Sequence, residues 1–197
     1  MRTIRYLAAL GFAPALAFAQ APATAPAAPP PDAEQITAAV QALPAEYRAT
    51  AKVLGYHTGN NALVTLREGT SFTCLANNPA GKSFHVACYH QSLEPFMARG
   101  RALREQGVKE DRVDTVRFAE VKAGKLAMPK QAAMYQLFGG TVDPATGAVA
   151  GGHPLFVMYM PGATAASTGL SAKPAEHDPW IMYPGTPKAH IMLTPNM

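Results

Sequence analysis

Two cysteines, Cys74 and Cys88, constrain this chain more than any other feature, and they are the only two it has. Both lie in the stretch 67–90, REGTSFTCLANNPAGKSFHVACYH. Two runs of strand-forming residues, 71–76 and 84–90, flank Asn77-Asn78-Pro79-Ala80-Gly81. Residues that tolerate turn dihedrals between two alternating apolar runs signal a hairpin. A disulfide across it closes a loop whose constraint is worth about 3 kcal/mol in the chain-entropy picture. The competing use of the two thiolates, as metal ligands with His85 or His90, lacks the close Cys-x-x-Cys spacing of zinc sites. If the cysteines face each other, period-two geometry puts Phe72 and His90 on the disulfide's side of the sheet. Thr73, Tyr89 and His85 then take the other side. This expectation gives one histidine to the core side and the other to solvent.

The N-terminus supports the oxidised state. Residues 1–19 combine Arg2 and Arg5, an apolar run over 6–18 and a small-x-small ending, Ala17-Phe18-Ala19. This is the pattern of a secretory signal peptide cleaved before Gln20, and the run is short for a spanning helix. An exported chain meets an oxidising compartment, periplasmic or extracellular, where disulfides persist. No later run is long enough for a transmembrane anchor. Residues 20–31 are almost entirely Ala, Pro and Thr, a linker composition that favours extended chain. Residues 32–197 then suffice for a single domain.

Charge narrows the partners. The whole chain carries a formal +4, and two of those charges are Arg2 and Arg5 of the signal segment. Nine Lys/Arg against five Asp/Glu fall within 99–130, but the domain as a whole is only weakly basic. It gives no case for a nucleic-acid partner.

Hydrophobic period assigns the elements. Asp32 as N-cap with Gln35 three residues on, then Ile36, Ala39, Val40 and Leu43 on one face, predicts a helix that Pro44 stops. Strands are expected at 50–57, 62–67, 71–76 and 84–90, joined by short turns into an antiparallel meander. A helix follows, capped by Ser92, with Pro95 in its first turn and a stop at Gly107. Residues 110–122 fit a helix, although Val116 and Phe118 also alternate as in a strand. Strands at 133–138 and 155–160 flank a Gly-rich excursion, 139–152, expected as a mobile surface hairpin. Residues 180–193 read as strand, tight turn, strand. The sum is an α+β domain: a mostly antiparallel sheet with about three helices on one face and one disulfide-braced hairpin.

Catalytic signatures are missing: there is no Gly-x-Ser-x-Gly elbow, His-Glu-x-x-His or Walker-type loop. Three blocks carry a resemblance instead. Leu66-Arg-Glu-Gly-Thr-Ser-Phe-Thr-Cys74, Cys88 with the segment that follows it, and Pro179-Trp-Ile-Met-Tyr-Pro-Gly-Thr-Pro-Lys-Ala-His-Ile-Met192 together resemble a group of exported bacterial proteins of uncharacterised function. The resemblance implies that Arg67, Glu68, Thr186 and His190 act together. Pro184-Gly185-Thr186-Pro187 is a rigid turn able to present Thr186 and aim His190. A pocket is therefore expected from Arg67, Glu68, His90, Thr186 and His190, with Trp180 and Tyr183 as apolar walls.

The leading expectation is non-catalytic binding of a small ligand or an envelope partner, with no cofactor. The first alternative is a periplasmic copper site built from Met158, Met160, His190 and Met192, with His153 upstream, because thioethers and imidazole suit copper(I). The second is a hydrolase or lyase using His90 or His190 as general base, which needs a carboxylate or hydroxyl partner within hydrogen-bond reach.

Overall fold

The computed structural model describes residues 28–58 and 60–195. The expected signal peptide and most of the linker lie outside the described residues.

The first helix, α1, spans Asp32–Ala39. Pro31, not Asp32, is its N-cap; Asp32 and Glu34 sit in the first turn, where carboxylates complement the positive end of the helix dipole. A 3-10 turn, Val40–Ala42, extends it, and Pro44 ends the run and leads into a single turn, α2, Ala45–Arg48.

Four strands follow: β1 Lys52–His57, β2 Asn60–Arg67, β3 Phe72–Leu75 and β4 His85–His90. They do not form a meander. Their order is β2-β1-β3-β4, and β3 runs parallel to β1. The chain leaves β2 beside Val53 and crosses over the start of β1 before entering β3. The crossing is held by Thr70 N–H on the Thr50 carbonyl at 2.9 Å.

Beyond β4 come α3 Glu94–Glu105 and α4 Glu110–Lys122, then β5 Ala132–Phe138, β6 Thr141–Val142, β7 Val149–Ala150 and β8 His153–Tyr159. A short α5, Ala165–Thr168, precedes β9 Trp180–Met182 and β10 His190–Leu193. The main sheet has eight strands in the order β2-β1-β3-β4-β5-β8-β10-β9, and β6 and β7 pair separately. The Gly-rich excursion is thus a two-stranded ribbon. It rests on α1: a Cβ on Gly147 would lie 2.2 Å from the Thr37 side chain.

Register defines two faces. Cys74, Cys88, Tyr135, Phe156 and Leu193 are directly opposed across five strands and share one face, the disulfide face. Thr73, Tyr89, Met134, Val157, Met192 and Trp180 form the matching row on the other. The Cys74–Cys88 disulfide joins an opposed pair of the β3–β4 hairpin.

Helices cover both faces, not one. Ala39, Val40 and Leu43 pack on Val53, Phe72 and the disulfide. Leu93 and Met97, on the opposite side, pack on Tyr89, Ala132, Val157 and Tyr159. The buried Tyr89 hydroxyl donates to Glu94 Oε2 at 2.5 Å and accepts from Arg101 at 2.7 Å, so its polar end is satisfied beneath α3. On the disulfide face Ala133 and Tyr135 of β5 still pack against the α1 cluster, and beyond them Phe156 and Met158 of β8 and Leu193 of β10 stay exposed.

Candidate functional site

The Arg67 corner is built into the fold. Arg67 Nε donates to the Ala51 carbonyl at 3.0 Å and Nη2 to the Arg48 carbonyl at 2.6 Å, which ties down the end of α2 and the entrance of β1. Glu68 meets Lys52 Nζ at 3.2 Å with its own side chain largely exposed, a pair worth under about 1 kcal/mol. Gly69 lets the crossing backbone touch that of Thr50, Ala51 and Lys52.

His90 is a cap. Its Nδ1 accepts the Ser92 N–H at 3.2 Å and lies 2.8 Å from Ser92 Oγ. A backbone amide only donates, so Nδ1 carries a lone pair, and His90 takes the capping role expected of Ser92. A hydroxyl partner is therefore present, on the nitrogen that also caps the 3-10 turn Gln91–Leu93. His90 and His85 lie on opposite faces and both are exposed, unlike the expected core and solvent split.

His190 sits in a denser setting. Its Nδ1 is 2.7 Å from the Lys188 carbonyl, which can only accept, so the neutral ring carries its proton there and leaves Nε2 as the basic nitrogen. The ring lies between Tyr159 and Tyr183, at centroid distances of 5.0 and 5.8 Å. Burial lowers the pKa of His190, partly countered by the carbonyl and reinforced by the Lys188 ammonium. Burial also pushes Tyr159 up to about 12, with Arg117 opposing and Asp114 adding to the shift.

The strip around His190 reaches α4. Lys188 Nζ is 2.9 Å from Asp114 Oδ2 and 4.6 Å from the Tyr183 ring centroid. The other Asp114 oxygen takes Arg117, whose buried guanidinium lies 4.0 Å from the Phe96 ring and leaves Nε without a partner. Burial works against the charge on Asp114, but the Lys188 and Arg117 hydrogen bonds outweigh it and hold the carboxyl below its usual range. Tyr183 is the one described non-glycine residue with positive φ, +53°, a costly backbone for an aromatic residue. The turn after it is self-contained. Thr186 Oγ1 donates to the Tyr183 carbonyl at 2.8 Å and accepts Lys188 N–H at 3.2 Å, so the hydroxyl is spent inside the turn.

The expected pocket does not assemble. Arg67 and His190 reach the same end of the sheet, but β2 lies at one edge and β10 next to the other. Six strand spacings separate them, about 29 Å. His90, on β4, stands between. Tyr183, Thr186 and His190 come together; Trp180 shares their face, opposite Met192. Sequence reasoning missed Tyr159, Lys188, Asp114 and Arg117. Lys188, two residues before His190, was the visible hint; Asp114, on α4, offered none.

The copper set divides as well. Met158 opposes Ile191 on the disulfide face, and Met160 follows it at the same parity, whereas His190 and Met192 oppose Tyr159 and Val157 on the other face. His153 is at the far end of β8, against Phe138. Among the described residues no three His, Cys, Asp or Glu side chains gather as a metal site.

What the fold leaves open is an apolar patch on β8 and β10, bordered by half-buried Ala133 and Tyr135 of β5. Ala133, Tyr135, Phe156, Met158, Ile191 and Leu193 line a cavity of about 330 Å³ there. Phe156, Met158 and Leu193 are 37%, 40% and 39% exposed. An aromatic chain runs into it from α2: Tyr47 to Phe72 at 5.1 Å, Phe72 to Tyr135 at 5.8 Å, and Tyr135 to Phe156 at 5.6 Å.

No family model matches this chain, and no curated protein or solved structure matches it either. Among the described residues no helix is long and apolar enough to cross a membrane.

Proposed function

We propose that this protein is an exported domain that works by binding, and that its ligand is an apolar small molecule held on the exposed apolar patch of β8 and β10. The observation that carries the reading is the exposed pair Phe156 and Leu193, with Met158 beside it, at the end of a row that Tyr135 links to the core. The same row is buried under α1 where it continues through Cys88 and Cys74. A contiguous exposed apolar surface marks an interaction site more often than a defect. The cavity lies in the size range of small-molecule sites, and the residues lining it carry no charge. An aliphatic or aromatic ligand matches that lining, with the Tyr135 hydroxyl as a polar anchor. Export is supported by the signal-peptide pattern of 1–19, by the disulfide and by the resemblance to exported bacterial proteins.

A neutral apolar fluorophore, N-phenyl-1-naphthylamine, tests the reading. Saturable one-to-one binding that is abolished by Phe156→Ser and Met158→Glu is expected, with a monomer by light scattering. A stable dimer that the same substitutions dissociate would show the face to be covered by a second copy and would overturn it.

The hydrolase or lyase reading keeps one observation in its favour, the strained Tyr183 beside a neutral His190. A turnover found in a broad ester and lyase screen and lost in His190→Ala would establish it over binding.

A further inference from the structure

The loop of the disulfide-braced hairpin arches over a second cavity, of about 340 Å³, on the face away from the apolar patch. Tyr56, Asn77, Asn78, Lys82, Ser83 and His85 supply its polar lining. Tyr56, Leu75 and His85 project from β1, β3 and β4 on the side opposite the disulfide. The cavity is independent of the apolar face.

The asparagine and lysine side chains of the lining are one-sided in their hydrogen-bonding chemistry. Asn77 Oδ1 accepts the backbone N–H of His85 at 3.0 Å, and Asn78 Oδ1 accepts that of Ala80 at 2.9 Å. Each asparagine thus spends its acceptor on shaping the loop, and its amide N–H2 remains as an unclaimed pair of donors. His85 Nε2 lies 3.0 Å from Gln136 Oε1, and the Gln136 amide nitrogen points to Met134 Sδ, so the glutamine oxygen accepts, His85 Nε2 donates, and Nδ1 of the neutral ring keeps its lone pair. The imidazole is stacked flat on Phe138, with centroids 4.2 Å apart and planes within 7°, which fixes its orientation. Lys82 has no ion-pair partner among the described residues, and no carboxylate lines the cavity. Ser83 and Tyr56 add hydroxyls that turn to suit a ligand.

A cavity with one ammonium, two free amide donors and two hydroxyls, whose carbonyl oxygens are already used, is complementary to an oxyanion. We infer that it binds a small molecule through a carboxylate or phosphoryl group, with Lys82 as counter-charge and the Asn77 and Asn78 amides as directional donors. The Cys74–Cys88 bond holds the two strands that carry the loop, and the Oδ1 bonds hold the two asparagines, so the amide donors are positioned before the ligand arrives.

Titration of the ¹⁵N-labelled protein with inorganic phosphate and, separately, with succinate, in a buffer free of other oxyanions, tests this. Saturable shifts confined to 77–85 are expected for at least one of the two probes, and which one responds assigns the group. Lys82→Gln should weaken binding by about tenfold, the loss of one charged contact. Asn78→Asp retains an oxygen for the Ala80 N–H but replaces the free donors with a negative charge, and should abolish binding while the protein stays folded. Phe156→Ser should leave this binding unchanged, which separates it from the apolar reading. Linear, unsaturable shifts with both probes, or saturable binding indifferent to Lys82→Gln and Asn78→Asp, would overturn the assignment.

Discussion

A Cβ added to Gly69 would lie 2.2 Å from the backbone nitrogen of Lys52. The atoms it meets belong to the backbone of 50–52, which cannot swing aside as a side chain can. Gly69→Ala is therefore expected to destabilise the protein by about 3 kcal/mol, the upper range of overpacking costs. Urea unfolding should show the loss as a lower midpoint; a midpoint within error of the parent would mean that β2 and β3 do not cross β1 this tightly.

The Cys74–Cys88 disulfide braces strands that are already paired in register. Cys74→Ser with Cys88→Ser should cost about 3 kcal/mol and preserve the far-ultraviolet circular dichroism, because the surrounding core of Val53, Phe72 and Leu43 does not depend on the bond. Thermal melts of the parent with and without reductant provide the same comparison without mutation.

Asp114 answers two cations, Arg117 and Lys188. Arg117 is buried and Lys188 belongs to the turn that carries His190, so the carboxylate joins α4 to the sheet edge. Asp114→Asn leaves a buried guanidinium without a counter-charge and should cost about 3 kcal/mol. Glu110→Gln breaks the exposed pair with Arg104 and should cost under about 1 kcal/mol. Equal effects of the two substitutions in denaturant titrations would contradict this ordering.

His190 makes stability depend on pH. Its folded pKa lies below that of a free histidine, so the unfolded chain binds the proton more readily, and stability rises with pH wherever that is so. Its full contribution is present above the unfolded value of about 6.5. It declines as pH falls through that value and levels off once the folded ring also takes its proton. Midpoints measured between about pH 8 and pH 5 should fall more steeply in the parent than in His190→Asn. Parallel curves would show that the ring titrates alike in both states.

Where one residue answers to its immediate neighbours, the chain could be read directly. The asparagine-rich turn between alternating runs led to the β3–β4 hairpin, and the two cysteines to its opposed pair. Pro44 and Gly107 marked helix ends. Alternation also placed Phe72 and His90 on the disulfide face. The resemblance singled out Arg67 and the Gly-Thr-Pro turn, but their roles proved to be internal: carbonyl partners for Arg67, a self-closed turn for Thr186.

The sequence alone located the main-sheet strands, though not their ends, and the side each of their residues takes, because period two and turn chemistry are local. Only the tertiary structure decided which strands become neighbours, since alternation specifies a side and not a partner. It put β3 beyond β1, and with it the Arg67 corner at one edge of the sheet and His190 near the other. It also sent α1 and α3 to opposite faces. That placement left Phe156 and Leu193 exposed, a bare apolar surface at the end of a row that is core elsewhere in the same sheet.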